Sequence, residues 1–289
     1  MLIQLFILIL VTCSTYYMVA LAFSISYSTT KFFNMSYVVN IVYAAYLFNT
    51  LFQSLSLNPI LAAFIAICIC TIFQLILHQF IFFKINNQNG LTSLVASLGI
   101  LVVMQSILSI IYGDSTIVNS FFQNGSYTFF NTSISSNQLF LLIGAVLVFI
   151  VFYLVFRFSF IGKLIKAVSS NKDLSEIWGI DSKRIELIST LLSSIIFSIS
   201  GILYSFYTVI NPMYGFDLLL YGIIAMIIGG VGSNWGLLGG AFLLAMAQHL
   251  GSYYIDSKWM DAIAYFILIL FLIWKPLGFS GKLLKKVEI

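Results

Sequence analysis

The sequence predicts an all-α protein, a polytopic transmembrane helical bundle, from its composition, its long apolar stretches and the placement of its charges. Of its 289 residues, 61% are hydrophobic and 8% are charged, and the mean hydropathy is +1.07. A soluble domain carries roughly 25% charged residues. A water-soluble fold of this length could not bury so much apolar surface. We therefore expect a single transmembrane domain over residues 1–289.

Apolar stretches long enough for a helix to cross a bilayer, about 20 residues, recur along the chain. The first is interpreted as a retained span, because no basic residues and no small-residue cleavage site mark it as a signal peptide. The seventh and eighth are short and are joined by a glycine cluster, so they could be two spans or a re-entrant pair. We expect about 8–9 spans. The candidates are 2–27, 35–55, 58–83, 91–112, 137–160, 185–207, 217–231, 236–255 and 260–275.

The basic residues predict the orientation of the chain. If the spans alternate in direction, twelve of the thirteen Lys and Arg residues lie on one face, and only Lys258 lies on the other. The positive-inside rule makes the basic face cytoplasmic. We therefore expect a multi-pass protein of the cytoplasmic (inner) membrane, with its N-terminus outside and its C-terminus inside. Because topology accounts for the charges, nucleic acid is not an expected partner.

The polar loop at 161–184 contains the signals of a very short helix. Ser170 is a candidate N-cap, and Asp173, three residues later, would complete a capping box. Gly179 can adopt the left-handed conformation that ends a helix. The loop lies on the predicted cytoplasmic face.

One face of this short helix is apolar, because Leu174, Ile177 and Trp178 follow each other at helical spacing. Two turns of helix are not stable alone in water, so this helix must pack against something. It could lie at the membrane interface with Trp178 among the lipid headgroups. It could equally be a docking site for a cytoplasmic protein, and the residues alone favour neither.

A glycine cluster lies between the seventh and eighth stretches. No Lys follows it, so it is not a phosphate-binding P-loop. Spacings of four residues between glycines are typical of membrane helices that pack closely, and such a cluster could also act as a hinge. The residues predicted for helix packing or a hinge are Gly229, Gly230, Gly232, Gly236 and Gly240.

Uncharged polar side chains gather mainly in the second span. They could hold helices together or line a polar path for a solute. Carboxylates in the middle of the spans are scarce, which disfavours an ion-coupled secondary transporter. No catalytic constellation, metal-ligand cluster or cofactor motif is recognisable, so we expect no enzyme activity and no cofactor or metal. The candidates for the substrate path are Asn34, Tyr37, Asn40, Tyr46, Gln105 and Asp217.

Three motifs resemble those of the LivH-like permease subunits of ABC importers for branched-chain amino acids. The most specific is the glycine-rich block IIGGVGSNWGLLGG at 227–240. A closing span that begins with DAI at 261–263 and ends with WKPLG at 274–278 is also similar. LTSLVASLG at 91–99, followed by Gln105, is similar to the fourth-span signature of the family. The resemblance implies the ABC importer permease fold.

The resemblance gives the short helix a role. ABC importer permeases have a cytoplasmic EAA-x3-G motif that forms a coupling helix against the ATPase, and Asp173-Leu174-Ser175 with Gly179 stands in its place here. This favours the docking interpretation. The implied ATPase-coupling residues are Ser170, Asp173, Leu174, Ser175, Ile177, Trp178 and Gly179.

The partners and the solute also follow from the resemblance. It implies cytoplasmic ABC ATPase subunits, a second permease subunit (identical or paralogous) and an extracytoplasmic solute-binding protein. The implied solutes are branched-chain or other small amino acids. Tyr37 replaces a family His and Val38 a family Gly, so the solute could differ. The alternatives are an ion-coupled secondary transporter and an ABC importer permease for urea or short amides.

Overall fold

The computed structural model describes residues 2–85, 90–113, 116, 125–129, 132–275 and 278–279. The first half contains α1 (Leu2–Thr30), α2 (Tyr37–Asn49), α3 (Pro59–Leu77), α4 (Phe83–Ile85), α5 (Gly90–Tyr112) and α6 (Ser136–Phe158). The second half contains α7 (Phe160–Ser170), α8 (Lys172–Ile177), α9 (Ser182–Ser205), α10 (Tyr214–Gly229), α11 (Asn234–Tyr254) and α12 (Met260–Trp274). Single π-helical turns, Thr50–Ser54 and His78–Phe82, extend α2 and α3, and a 3-10 turn, Ser257–Trp259, precedes α12.

Six helices within these ranges are long and apolar enough to cross a membrane. They are Ile3–Thr30, Pro59–Ile85, Gly90–Tyr112, Ser136–Phe158, Ser182–Ser205 and Ser257–Trp274. The other three expected spans coincide with α2, α10 and α11. The helices α2 and α10 have only 13 and 16 residues, and α11 contains Asn, Gln and His, which lower its hydropathy. The helical membrane architecture is confirmed, whereas the count of eight or nine spans stays a prediction.

Local side-chain caps explain where several helices begin. Asn58 accepts a hydrogen bond from the Ile60 N–H (3.1 Å), and Pro59 occupies the first turn of α3, where its missing N–H costs nothing. Ser135 and Gln138 form a capping box at the start of α6. Ser135 also ends a two-stranded antiparallel hairpin, β1 (Ser126–Phe129) with β2 (Thr132–Ser135), in the expected outer loop. Most of the preceding residues of that loop lie outside the described ranges.

The helix α1 forms the centre of the bundle and packs against α9, α10 and α11. In its most apolar segment 67% of the residues are buried, compared with 17% for α5 and 6% for the final span. Helices that expose apolar side chains on most of their surface require lipid as their solvent. We therefore place α5, α6 and α12 at the lipid-facing periphery.

Glycines allow the inner helices to approach each other closely. A Cβ atom on Gly201 of α9 would collide with the carbonyl oxygen of Ile41 on α2. A Cβ on Gly240 of α11 would collide with backbone atoms of α10, including the Gly229 N and Cα. Such contacts between backbones maximise van der Waals packing, which stabilises helix association in a membrane.

Replacing Gly201 with Ala should destabilise the bundle, because the Ile41 backbone cannot move away without displacing α2. We expect Gly201→Ala to lower the thermal midpoint of the detergent-solubilised protein by about 5 °C. The matched control is Gly99→Ala on α5, where a Cβ meets no atom within 4 Å. That variant should be as stable as the parent or slightly more so. Equal midpoints for the two variants would contradict the close approach.

Candidate functional site

The short helix α8 begins at Asn171, which has an extended backbone (φ −155°, ψ 112°). The Asn171 side-chain oxygen accepts a hydrogen bond from the Leu174 N–H at 3.0 Å. The prediction that Ser170 is the N-cap is therefore wrong, because α7 continues through Ser170 before the chain turns. Asp173 lies in the first turn of α8, where the helix dipole favours a carboxylate, but it does not complete a capping box with Ser170.

The helix ends as predicted at Gly179, which has a φ of +81°. The Gly179 N–H donates to the Glu176 carbonyl and the Ile180 N–H to the Ser175 carbonyl, both at 3.0 Å. This pair of hydrogen bonds is a Schellman motif, which satisfies carbonyls that would otherwise be unpaired. Since left-handed backbone is unfavourable for residues with a Cβ, glycine is the favoured residue for this geometry.

Two contacts hold α8 and its C-terminal turn against α7 and α9, and one hydrogen bond supports the helix from within. The Lys172 ammonium lies 2.7 Å from the carboxylate of Glu186, a side chain with only 4% exposure. Within α8, the buried Ser175 hydroxyl donates a hydrogen bond to the carbonyl of the N-cap, Asn171. Ile180 packs on a small apolar cluster built on Ile165 of α7, Val168 and Ile185. A six-residue helix thus obtains its stability from tertiary contacts rather than from its own length.

The outer face of α8 is apolar and exposed. Leu174, Ile177 and Trp178 have 52%, 81% and 80% of their surfaces exposed. Of these three side chains, Ile177 and Trp178 are the least buried. The predicted apolar face therefore exists, and no described residue covers it.

The ten described basic residues gather at two ends of the bundle. Lys31, just after α1, donates to the Ser169 carbonyl at the end of α7 (2.7 Å). Lys183 lies over the Phe83 ring of α4, with 5.1 Å between the Nζ and the ring centroid. Contacts of this kind bring the loops after α1, α4 and α6 to the end where α8 lies, which we call the basic end. Lys258 lies in the turn before α12, at the opposite end.

The end of α10 and the tail also reach the basic end. The Gly232 N–H donates to the Ser24 hydroxyl of α1 (3.0 Å), and the Phe279 N–H donates to the Ile228 carbonyl (2.8 Å). Gly230 and Gly232 both have a φ near +90° in the turn between α10 and α11. Of the predicted glycines, Gly230 and Gly232 thus form a turn, whereas Gly229 and Gly240 allow α10 and α11 to pack closely. The tail beyond Phe279, with its three remaining lysines, lies outside the described residues.

The candidate path residues of the α1–α2 corner are buried among helices. Asn34 accepts hydrogen bonds from the Ser36 N–H and hydroxyl, which shapes the turn before α2. Tyr37 stacks on Phe197 of α9, with ring centroids 4.5 Å apart. Asn40 is fully buried, and no hydrogen bond satisfies its side-chain amide within the described residues.

The other three candidates lie toward the opposite end. The Tyr46 ring lies 4.8 Å from the Tyr112 ring at the end of α5. Gln105 donates to the Pro212 carbonyl (3.3 Å), next to α10. Asp217 is exposed in the first turn of α10. The six candidates are therefore distributed along the length of the bundle, and their role stays a prediction.

Sequence reasoning missed two residues that position α8. Asn171 had a recognisable signal, since Asn is as good an N-cap as Ser. Glu186 had none, because a contact across 14 residues of sequence depends on the packing of α7 and α8 against α9. Within the described ranges, no three His, Cys, Asp or Glu residues gather as metal ligands would.

Comparison with known proteins agrees with this architecture. The model of the family described as the permease component of the branched-chain amino acid transport system matches residues 5–272. The chain belongs to this permease family. It is thus a multi-pass membrane protein related to transport permeases, as its sequence motifs predicted. No solved structure gives a significant match.

The relatives of this permease cover nearly its whole length. The high-affinity branched-chain amino acid permease protein LivH of Salmonella typhimurium is 25% identical over 285 residues, 93% of this chain and 92% of the relative. LivH of Escherichia coli K12 is 23% identical over 93% of this chain and 92% of its own. A probable LivH of Methanocaldococcus jannaschii is 26% identical over 94% of this chain and 90% of its own.

The ion pair between α8 and α9 leads to a stability prediction for this permease. Lys172→Ala leaves the buried Glu186 carboxylate without its partner, so we expect a loss of about 2 kcal/mol and faster proteolysis of the 170–180 segment. The matched control is Arg184→Ala, which removes the Asp181–Arg184 pair, in which both side chains are exposed. It should cost less than about 1 kcal/mol. Thermal unfolding with limited proteolysis measures both, and equal effects would contradict the anchoring role of Glu186.

Proposed function

We propose that this chain is the transmembrane subunit of an ABC importer and that α8 is its docking site for an ATPase subunit. The observation that supports this most directly is the exposed apolar face of Leu174, Ile177 and Trp178. A helix that is capped at both ends and anchored by an ion pair does not need that face for its own stability. Exposed apolar surface on a rigid element is typical of a protein interface.

In this proposal the chain is not an enzyme, and ATP is hydrolysed by cytoplasmic partners. Their movement displaces α8, and the contact of Lys172 with Glu186 passes the displacement to α9. Since α9 packs against α1, α2 and α3, a shift of α9 changes the centre of the bundle. Packed helices transmit such shifts because tightly packed interiors deform little.

The proposed orientation places the basic end in the cytoplasm. Nine of the ten described basic residues lie there, and cytoplasmic loops of membrane proteins carry an excess of Lys and Arg. The N-terminus is then outside. The ATPase reaches α8 from the cytoplasm, and a solute-binding protein delivers its cargo to the opposite end.

The proposed solutes are branched-chain or other small amino acids. The names of the relatives support this class. We further propose that a second permease subunit, identical or paralogous, completes the translocation path. Asn40 supports a polar path, because its buried amide lacks a protein partner among the described residues and such a group is costly unless water or a solute pairs with it.

Truncating the exposed face of α8 should separate the permease from its ATPase. We expect the double variant Ile177→Ala/Trp178→Ala to reduce co-purification of the ATPase by tenfold or more, since buried aromatic anchors dominate protein interfaces. Membrane insertion and thermal stability should not change, because both side chains are at least 80% exposed. The measurement is quantitative co-purification of an ABC ATPase subunit co-expressed with the permease.

The matched control is Trp259→Ala, which removes a 56%-exposed tryptophan at the opposite end. It should leave ATPase association unchanged. Full association in the Ile177→Ala/Trp178→Ala variant would refute the docking role of α8.

Cysteine labelling tests the orientation. With Cys13, Cys68 and Cys70 replaced by Ala, Trp178→Cys should react with a membrane-impermeant maleimide only after the cells are opened. Lys258→Cys should react in intact cells. The reverse pattern would place α8 outside and overturn the proposal.

Uptake assays separate the rival functions. An importer should need both ATP and its binding protein for leucine uptake, whereas an ion-coupled secondary transporter would work in vesicles with an ion gradient alone. Uptake of labelled urea or short amides instead of leucine would assign the alternative solute class. The scarcity of carboxylates in the spans favours the ATP-driven system.

A further inference from the structure

A cavity of about 320 Å³ opens at the basic end, between α1, α6, α7 and the turn before α11. Its lining includes apolar side chains such as Leu21 and Ile25, the basic side chains of Arg157 and Lys166, and the aromatic rings of Tyr153 and Trp235. The uncharged polar residues of the lining are Ser24, Ser28, Ser169 and Asn234. None of the residues that line the cavity is acidic.

The two basic groups retain unused hydrogen-bond donors. Arg157 donates to the Tyr153 hydroxyl at 2.5 Å, and its guanidinium has five N–H groups. Lys166 donates to the Phe156 carbonyl at 3.0 Å, and its ammonium has three. In the described part of the chain, neither side chain lies within 4.0 Å of a carboxylate. The cavity therefore presents two positive charges that have no counter-ion among the residues that the structure describes.

The position of the cavity matches the headgroup level of a bilayer. Arg157 is the penultimate residue of the membrane-spanning helix Ser136–Phe158. Trp235 is 66% exposed, and tryptophan is enriched at the interface between lipid and water. Further into the span than Arg157, Val151 and Leu154 are 51% and 47% exposed at helical spacing, and Phe158 at the end of the same helix is 68% exposed. These side chains form an exposed apolar stripe on α6.

We propose that this cavity binds the phosphate headgroup of an anionic phospholipid, with the acyl chains along the exposed stripe of α6. The two basic side chains hold the phosphate, and the hydroxyl and amide groups that line the cavity contact the glycerol. Basic pockets between helices at the membrane surface recognise such headgroups. A free phosphate compound would use the same donors, but it would leave the adjoining apolar stripe without a ligand.

The test uses the full-length chain, purified in a neutral detergent and mixed with phosphatidylglycerol or phosphatidylcholine. Native mass spectrometry should show retention of phosphatidylglycerol in preference to phosphatidylcholine. The double variant Arg157→Gln/Lys166→Gln should weaken phosphatidylglycerol binding about tenfold, and higher salt should weaken the parent's binding. Soluble glycerol phosphate at the same concentration should not displace the lipid.

The matched control is Lys163→Gln, which removes a cation that lies on α7, like Lys166, but does not line the cavity. It should bind phosphatidylglycerol like the parent. The conservative variant Arg157→Lys/Lys166→Arg keeps both charges and should also retain the lipid, and the Gln variant should keep the parent's thermal midpoint, so that its loss of lipid is due to the lost charges. Unchanged binding by the Gln variant, or displacement by glycerol phosphate, would overturn the proposal. Loss of ATPase association with lipid binding unchanged would assign the surface to a protein partner, and would also overturn it.

Discussion

Close backbone contact between the inner helices is the constraint on which the rest of the structure depends. Lipid tails are as apolar as leucine side chains, so hydrophobicity does not bring membrane helices together, and van der Waals packing must do so. The bundle meets this condition at positions without a side chain, such as Gly201 against Ile41 and Gly240 against Gly229. The resulting core around α1 is tightly packed, whereas the peripheral helices use lipid as a solvent. The polar loops at the basic end are supported by that core.

The helix α8 shows how tertiary contacts and caps hold a very short helix in place. The Asn171 side chain accepts a hydrogen bond from the first turn of the helix, and the turn at Gly179 pairs its last carbonyls. The ion pair with Glu186 fixes the position of the helix on α9. These interactions lie on the inner side or at the ends of the helix. Ile177 and Trp178 take no part in them, so selection for folding alone does not explain an exposed apolar face at this position. This separation of supporting from exposed residues is the physical basis for treating α8 as an interface.

The features that the sequence could predict depend on local patterns, and those it could not depend on packing. The left-handed turn at Gly179 and the helix start at Pro59 follow from properties of single residues. The predicted N-cap of α8, Ser170, is one residue before the observed N-cap, Asn171, because no local rule decides whether α7 ends before or after Ser170. The role of Glu186 could not be predicted from the sequence, since the tertiary fold decides that it pairs with Lys172. The number of spans stays open because α2, α10 and α11 are shorter or more polar than typical spans.

A single helix connects the proposed docking site with the candidate solute path. Glu186, near the start of α9, holds Lys172 of α8, and three turns further along α9 Phe197 stacks on Tyr37 of α2. One turn beyond, Gly201 lies against the backbone of Ile41. A rigid displacement of α9 must therefore move the segment of α2 that contains Asn40, because neither contact can open without losing packing. In the proposed mechanism, a displacement of α8 reaches the buried polar side chains of α2 through the contacts that α9 makes with both helices.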